Sequence, residues 1–408
     1  MKKIFTTFLF SLISLLVMAQ YQWVSTPKSD ILSEDVVFTK LFQDSQDNIW
    51  VGCSRSTLLK YDGTNWTILD NSTLNLDNTF EFINDIYEDP QGRIWVSTGG
   101  GIACFHNNNW TTYSQSNVLP YGYGYAFDAI YFNDKMYFSV FDGVLTYDES
   151  SWVYEEIEGG QWAPGLGIDS NDQLWIAFAN GFPSFRLNGT TWEEFTTDNS
   201  DICFNFLYDM HLTGTGKLWF YGPNGSACMY DGTSFTSGAD LGNWGITSSI
   251  YAIHSNGVSD DIWIATNFYG PGLAHRQNGV NTFYNETHGL LSSNLVDVFV
   301  ANDGSIWVIG DEFIAKGNTT SSTEQVENSI ALTVSPNPTT GEVYFNYETE
   351  SLPTQFEVQV FHPDGRNLKT VQQDIYESLD LNEFSSGLYF LRLIFDEGFT
   401  ADVKVFKR

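Results

Sequence analysis

The residue types that most often carry out chemistry are few in this sequence, and they form no known catalytic motif. Six histidines occur, and no HExxH, GxSxG or P-loop pattern is present. His211 and His254 hold the same position in two neighbouring sequence repeats, eight or nine residues before a tryptophan, so their imidazoles could share a metal ion. Phe42, Tyr87 and Phe299 stand at or near this position in other repeats. The pattern therefore favours packing over metal binding, and no cofactor is predicted.

Carboxylates are abundant, but their arrangement does not single out an active site. Several lie in polar turns, where they could indicate calcium binding: Asp44, Asp47, Glu88, Asp89 and Asp172. No segment reproduces the alternating D-x-D-x-D-G loop, so turn formation is the favoured explanation. A pair of glycosidase carboxylates can be neither picked out nor dismissed. The whole chain has 18 basic residues, so few cationic side chains are available to build a site that stabilises an anion.

The chain is strongly acidic, with a formal net charge of −32 and a pI near 4.2. Such a surface repels phosphate groups, so neither nucleic acids nor anionic lipid surfaces are expected as partners. The acidity is typical of an exported protein that must stay soluble.

Glycine-neighboured aromatic residues in the loops are the strongest indication of ligand binding. Glycine lets a nearby ring stand out from the backbone at low steric cost. Aromatic faces with carboxylates and amides close by suit sugar rings, whose C–H faces stack while their hydroxyls form hydrogen bonds. The alternative is that the rings pack beneath their own loops. We predict that one face of the molecule carries Tyr121, Tyr123, Tyr125, Trp162, Phe182, Trp244, Phe268 and Tyr269.

Seven sequence repeats supply the elements that must position these loops. Each repeat has an apolar strand, a polar turn and an aromatic anchor; the anchors are Trp50, Trp95, Tyr137, Trp175, Trp219, Trp263 and Trp307. The spacings are 45, 42, 38, 44, 44 and 44 residues. A second aromatic residue follows most anchors, usually after an Asp-Gly type of turn that favours a hairpin. Four short strands per repeat make a propeller blade, so we predict an all-β fold with a seven-bladed β-propeller over residues 20–316.

The seventh repeat lacks its last strand, and the N-terminal segment can supply it. Trp23 precedes Trp50 by 27 residues, and Trp66 precedes Trp95 by 29. Trp23 therefore matches the outer aromatic position of a blade. We predict that the N-terminal strand completes blade seven and closes the ring, with an open solenoid as the weaker alternative.

The repeats resemble the two-component regulator propeller family. The closest match is Glu88-Asp89-Pro90-Gln91-Gly92-Arg93-Ile94-Trp95-Val96-Ser97-Thr98, which has the family's polar turn and apolar-Trp-apolar strand. The resemblance covers about residues 36–316 and implies the fold. In that family the propellers usually form sensor regions of membrane-bound signalling proteins. No membrane span or kinase segment is recognised here, so the signalling role is not expected to carry over.

The two ends indicate export. Residues 1–19 combine a basic start, an apolar run and small residues before Gln20, which predicts a signal peptide. Residues 317–330 are polar and lack periodicity, which predicts a linker. Residues 331–408 closely resemble the type A sorting domain of the type IX secretion system, with a PNPTTG opening, a DG turn, an SGLYFLRL strand and a basic end. That resemblance implies a small C-terminal β-sandwich, the secretion machinery as partner, and a secreted or cell-surface product that has passed through the periplasm.

The cysteines leave several arrangements open. Cys53, Cys104, Cys203 and Cys228 allow three disulfide pairings after export, and burial as free thiols is equally favoured.

For function, the sequence favours a non-catalytic binding propeller for an extracellular glycan or protein. The alternatives are a propeller lyase or glycoside-acting enzyme with its site on the loop face, and a structural or adhesive surface component.

Overall fold

The computed structural model of the protein describes residues 20–32, 36–74, 82–114, 125–242, 244–255, 261–267, 270–320, 332–347, 355–362, 366–374, 376–394 and 400–408. The predicted signal peptide, residues 1–19, lies outside this part of the chain, as do residues 321–330 of the predicted linker.

The described residues of the larger domain form seven four-stranded antiparallel sheets, each one blade of a propeller. The first strand is β1 (Gln20–Pro27). Blade 1 has β2 (Phe38–Gln43), β3 (Ile49–Cys53), β4 (Leu58–Tyr61) and β5 (Trp66–Leu69). Blade 2 has β6 (Ile83–Glu88), β7 (Ile94–Thr98), β8 (Gly101–His106) and β9 (Asn109–Tyr113). Blade 3 has β10 (Ala126–Phe132), β11 (Lys135–Val140), β12 (Gly143–Tyr147) and β13 (Trp152–Glu156).

The remaining blades repeat this order. Blade 4 has β14 (Gly165–Ile168), β15 (Leu174–Ala177), β16 (Ser184–Asn188) and β17 (Thr191–Phe195). Blade 5 has β18 (Asp209–Leu212), β19 (Leu218–Tyr221), β20 (Ala227–Tyr230) and β21 (Phe235–Ser237). Blade 6 has β22 (Ile250–Ser255), β23 (Ile262–Thr266), β24 (Leu273–Gln277) and β25 (Val280–Tyr284). Blade 7 has β26 (Leu295–Val300), β27 (Ile306–Gly310), β28 (Phe313–Thr320) and β1.

Helices contribute little. Among the described residues, the connections contain one α-helical turn, α1 (Asn71–Leu74), and short 3-10 turns at Lys28–Asp30, Pro223–Gly225 and Glu286–His288. In the described part of the chain no helix has the length and apolar character needed to cross a bilayer.

The N-terminal strand closes the ring, as predicted. Strand β1 pairs antiparallel with β28, and the register runs from Gln20 opposite Thr320 to Pro27 opposite Phe313. Trp23 is 7% exposed and lies opposite Gly317, where an added Cβ would come within 2.7 Å of the indole ring. Glycine at this position lets the ring lie flat across the partner strand. Because β28 reaches Thr320, the propeller extends beyond the boundary expected at residue 316.

In blades 1, 2 and 4 the polar turn before the anchor is held by an aspartate that also binds the anchor. In blade 4, Asp169 accepts hydrogen bonds from the backbone N–H groups of Asn171 (2.8 Å) and Gln173 (3.1 Å) and from the indole N–H of Trp175 (2.8 Å). Asp44 and Asp89 make the same set of contacts in blades 1 and 2. These carboxylates point into the turn, which agrees with turn formation rather than calcium binding.

We expect Asp169→Ala to lower the free energy of unfolding by about 2–3 kcal/mol, because it leaves the buried indole N–H of Trp175 and two partly buried backbone N–H groups without their acceptor. Asp231 is a suitable control, since it caps an exposed turn through Thr233 and Ser234 without touching an anchor. Urea denaturation followed by far-UV circular dichroism measures both variants. Equal stability of Asp169→Ala and Asp231→Ala would contradict the role assigned to the indole contact.

One disulfide forms among the four cysteines. Cys203 and Cys228 are bonded, with their Cα atoms 5.7 Å apart, and tie the segment before blade 5 to strand β20. Cys53 and Cys104 are buried free thiols, and burial raises the pKa of each. The structure thus combines the two expectations: one pair of cysteines is bonded, and the other two are small core residues.

The tail forms a separate small β-sandwich. One sheet contains β29 (Leu332–Ser335), β30 (Glu342–Tyr347) and β33 (Leu379–Asp380). The other contains β31 (Gln355–Phe361), β32 (Asn367–Asp374), β34 (Gly387–Ile394) and β35 (Thr400–Lys407). Alternating residues of these strands, such as Val358, Leu391 and Val405, face inward and form the tail's own core.

Candidate functional site

The inner strand of each blade begins at one mouth of the central channel, and several of these strands are bulged there. The pairing register shifts between Phe38 and Lys40 in β2, and between Ile83 and Asp85 in β6. The inner strands of blades 3, 6 and 7 shift at the corresponding point. A bulge re-aims side chains that strict alternation would send to opposite faces. Two consecutive residues of each bulged strand therefore reach the same channel.

A ring of charged side chains lies at this level, and we call it the charged ring. Its members occupy one position of the repeat, nine or ten residues before the anchor: Lys40, Asp85, Asp128, Asp209 and Asp297. In blades 4 and 6 the strand register puts Gly165 and Ala252 at this position. The ring thus holds four carboxylates and one ammonium group.

The residue immediately before each ring position forms the wall of a cavity above the charged ring. These residues are Thr39, Asn84, Phe127, Pro164, Tyr208, Tyr251 and Val296. The cavity has a volume of about 460 Å³ and is also lined by the charged ring. We call this cavity the channel mouth. Its size lies within the usual range for small-ligand sites, about 300–1,000 Å³.

The carboxylates of the charged ring fasten neighbouring blades together. Three of the four accept a hydrogen bond from a backbone N–H group on the inner strand of the next blade. The contacts are Ala129 to Asp85 (3.2 Å), Leu166 to Asp128 (2.6 Å) and Leu41 to Asp297 (2.7 Å). Asp209 differs, because the backbone and hydroxyl groups that donate to it belong to its own blade: the N–H of Met210 (2.7 Å) and the hydroxyl of Tyr221 (3.1 Å).

Lys40 is the cation of the charged ring. Its Nζ lies 3.4 Å from Asp85 and 3.5 Å from Asp209, so it spans from blade 1 to blades 2 and 5. Burial alone would lower the pKa of Lys40, but the attraction of Asp209, Asp85 and the other carboxylates outweighs it and raises the pKa well above its usual value. Lys40 therefore stays charged throughout the physiological range.

One ammonium group cannot offset four buried carboxylates, and their pKa values show the imbalance. Burial raises the pKa of Asp209 to about 7 and that of Asp297 to about 6, although Lys40 acts in the opposite direction on both. The pKa values of Asp85 and Asp128 are also raised, mainly by burial. Part of the ring therefore binds protons near neutral pH.

Below the charged ring, His211 and His254 lie together, as their common repeat position predicts. Their ring centroids are 4.7 Å apart, and His254 packs on Phe299 at 4.3 Å. His211 Nε2 accepts from the backbone N–H of Ser255 (3.0 Å), and His254 Nδ1 accepts from that of Val300 (3.1 Å). Burial lowers the pKa of both, to about 3 for His211, so both imidazoles are neutral acceptors at pH 7. No group of three or more metal-binding side chains occurs among the described residues.

Two of the predicted aromatic residues, Tyr125 and Trp162, pack on Phe127 beside the channel mouth. Phe127 lies between Tyr125, at 5.9 Å, and Trp162, at 6.0 Å, and the three ring planes are close to parallel. Trp162 is 49% exposed and has a φ of 60°, which is unusual for a residue other than glycine. Backbone hydrogen bonds to Phe141 and from Ala179 hold it there. Strained backbone at an exposed ring is a feature of ligand-binding sites.

Two other predicted residues do not present free rings. Trp244 is 7% exposed, stacks on Trp219 at 5.7 Å and donates its indole N–H to the carbonyl of Gly225 (2.9 Å). Phe182 is partly buried against the core of blade 4. Both residues pack beneath their own loops, which is the alternative considered above for the eight predicted aromatic residues. Tyr121, Tyr123, Phe268 and Tyr269 lie outside the described residues.

The charged ring and the wall of the channel mouth were missed by the sequence reasoning. The available signal was an alignment of the repeats on their anchors, which puts Lys40, Asp85, Asp209 and Asp297 in one column and Asp128 one position later. A column of buried-strand positions occupied by charged residues is unusual enough to mark a site. Tyr208 falls in the preceding column, and Phe127 and Tyr251 each lie one residue to either side of it.

Comparisons with known proteins agree with the two-part architecture. Residues 333–407 match the family described as Secretion system C-terminal sorting domain, and residues 79–100 match the family described as Two component regulator propeller. No curated protein matches the sequence.

Solved structures share the fold at low sequence identity. The extracellular domain of a putative one-component system from B. thetaiotaomicron has a TM-score of 0.57 and 15% identity, over 96% of this chain and 58% of that one. PorZ, a surface component of the type IX secretion system of Porphyromonas gingivalis, has a TM-score of 0.54 and 15% identity, over 90% and 59%. Virginiamycin B lyase from Staphylococcus aureus, solved with quinupristin, has a TM-score of 0.60 and 12% identity, over 74% and 100%. The chain therefore spans 58% of the B. thetaiotaomicron domain.

Proposed function

We propose that this chain, which carries two-component regulator propeller repeats and a C-terminal sorting domain of the type IX secretion system, is a binding protein whose ligand enters the channel mouth. The sorting domain makes it a secreted or cell-surface protein that engages the secretion machinery. The ligand is an extracellular glycan or protein.

The channel mouth is the observation that supports this proposal. It combines a cavity of about 460 Å³, aromatic side chains on its wall and convergent polar groups on its floor. Ligand sites typically have this composition, an apolar lining with a few placed polar groups. Tyr125 and Trp162, 44% and 49% exposed, extend the aromatic surface outward from Phe127. Large apolar groups exposed beside a cavity favour a partner that covers them.

The alternative of a glycoside-acting enzyme draws on Asp209. Its pKa of about 7 would let it donate a proton near neutral pH, and it lines the channel mouth. Its other contacts, to Lys40, Met210 and Tyr221, are those of a residue that holds the inner strand in place. We therefore favour binding. Release of reducing sugar from any bound glycan, lost in Asp209→Asn, would favour the enzyme instead.

Removal of two aromatic rings at the channel mouth provides the test. We expect Phe127→Ala and Trp162→Ala each to weaken ligand binding about tenfold, since a stacked ring contributes about 1–3 kcal/mol in the comparable case of aromatic stacking on bases. Immobilised full-length protein would be screened against defined oligosaccharides and synthetic peptides, and each hit titrated by calorimetry. Ile68→Ala is the control, because Ile68 is 48% exposed on an outer strand away from the mouth. Unchanged affinity in both ring variants would contradict the proposed site.

A further inference from the structure

The floor of the channel mouth exposes one donor and one acceptor side by side. The side chains of Lys40 and Asp209 are 27% and 18% exposed, whereas that of Asp85 is 7% exposed. The ammonium of Lys40 and a carboxylate oxygen of Asp209 are 3.5 Å apart. A ligand that reaches the floor therefore meets a hydrogen-bond donor next to a hydrogen-bond acceptor.

Two tyrosines stand directly above this pair. Tyr208 precedes Asp209 in the chain, and Tyr251 comes from the next blade with its ring centroid 5.4 Å from that of Tyr208. Both line the cavity, with Phe127 also on its wall. Phe206, 36% exposed, packs edge-on against Tyr208 and continues the aromatic surface outward. A flat group resting on these rings would direct its polar edge to the floor.

We propose that the channel mouth selects the uncharged end of a glycan, with two adjacent sugar hydroxyls bound by Lys40 and Asp209 and the sugar ring held against Tyr208 and Tyr251. This inference rests on the proposed function and names its ligand. A sugar hydroxyl can both donate and accept, so one hydroxyl accepts from the ammonium while its neighbour donates to the carboxylate. The C–H face of the same ring packs on the tyrosines.

The charged ring sets the selectivity against anions. Four carboxylates face one ammonium, so the net charge of the floor approaches −3 (1 − 4) as the pH rises and the carboxyl groups that hold protons near neutral pH ionise. A uronate or sulfate on the terminal sugar would lose its water beside these carboxylates and gain no free cation, because Lys40 is already paired with Asp85 and Asp209. The ring therefore rejects acidic sugars, whatever favourable contacts the aromatic wall offers them.

Matched sugar pairs test this selectivity. Full-length protein would be titrated by calorimetry with disaccharides ending in glucose or galactose and with their counterparts ending in glucuronate or galacturonate, which differ in oxidation at C6. We expect each neutral sugar that binds to bind at least tenfold tighter than its uronate. Asp209→Asn should weaken the neutral sugar about tenfold, and so should Tyr251→Ala, which leaves the charged ring unchanged. Asp303→Asn is the control, since Asp303 pairs with Lys316 at 3.4 Å outside the mouth.

The possible outcomes separate this inference from the proposed function. Equal or tighter binding of the uronates overturns the inference. If no sugar binds, but a synthetic peptide does and loses affinity in Phe127→Ala, the inference falls while the proposed function stands. If neither sugars nor peptides bind in a way that depends on Phe127 and Tyr251, both fall.

Discussion

We expect Lys40→Met to lower the free energy of unfolding by about 3–5 kcal/mol at pH 8, the largest effect of any single charge removal in the propeller. Removing one partner of a buried ionic group leaves the other charges uncompensated, and losses of about this size are typical. Lys40 is the cation that Asp85 and Asp209 share, at 3.4 Å and 3.5 Å. Methionine fills a similar volume, so the change removes charge more than it removes packing.

The loss should depend on pH in a defined direction. In the native protein the pKa values of Asp209 and Asp297 are about 7 and 6, above the value of about 3.9 expected in the unfolded chain. A raised carboxylate pKa means that the folded state binds protons more tightly than the unfolded state. The contribution of each such carboxyl group to stability therefore falls as pH rises from about 4 to about 7. Lys40 offsets this loss of stability. Because its pKa is raised in the folded state, its own contribution to stability is fully present below about pH 10. Without Lys40 the carboxylates hold protons to higher pH, so the variant should lose less stability at pH 5 than at pH 8.

Urea denaturation of the full chain at pH 5 and pH 8, followed by far-UV circular dichroism, measures both effects. Lys135→Met is the control, because Lys135 is exposed on β11 of blade 3. Asp209→Asn in the otherwise native chain should flatten the fall in stability between pH 5 and pH 8, since it removes the carboxylate with a pKa of about 7. A Lys40→Met loss that is the same at both pH values would contradict an electrostatic role for Lys40.

The blade architecture was predictable because its signals are local. An anchor such as Trp175, with its aspartate six residues earlier and a turn between them, forms a unit whose contacts lie within one hairpin. Three repeats have this aspartate, and all seven have the aromatic anchor after a polar turn, so the number of blades follows from local patterns without any long-range information. Closure was predictable for a related reason, since Trp23 keeps the repeat's own spacing to the next anchor.

The channel mouth was not predictable in the same way, because it depends on backbone bulges and on contacts between distant loops. A shift of one residue in a strand exchanges its two faces, so the sequence alone does not decide whether Asp85 or Asn84 reaches the channel; the bulge lets both do so. Trp162 and Trp244 carry similar glycine-rich signals. One is exposed, while the other is buried by Trp219 and Arg276, which lie 25 and 32 residues away in the chain.

The second large effect concerns closure of the ring. We expect Trp23→Ala to lower the free energy of unfolding by about 3–5 kcal/mol, the usual cost of truncating a buried tryptophan. Trp23 lies between two blades: it belongs to the outer strand of blade 7 and packs on Trp263 (6.1 Å) and Tyr284 (5.8 Å) of blade 6. Its loss therefore weakens both the strand that closes the ring and the contact between the last two blades.

Trp66 is the matched control, because it holds the equivalent outer position in blade 1. Repeat spacing alone predicts equal effects for the two tryptophans, but Trp66 is only partly buried, whereas Trp23 is 7% exposed. Burial of apolar surface sets the energy, so Trp66→Ala should cost less, about 1–3 kcal/mol. Far-UV circular dichroism in urea compares the two without relying on tryptophan fluorescence. A negligible loss for Trp23→Ala beside a clear one for Trp66→Ala would mean that β1 does not hold the ring shut in solution.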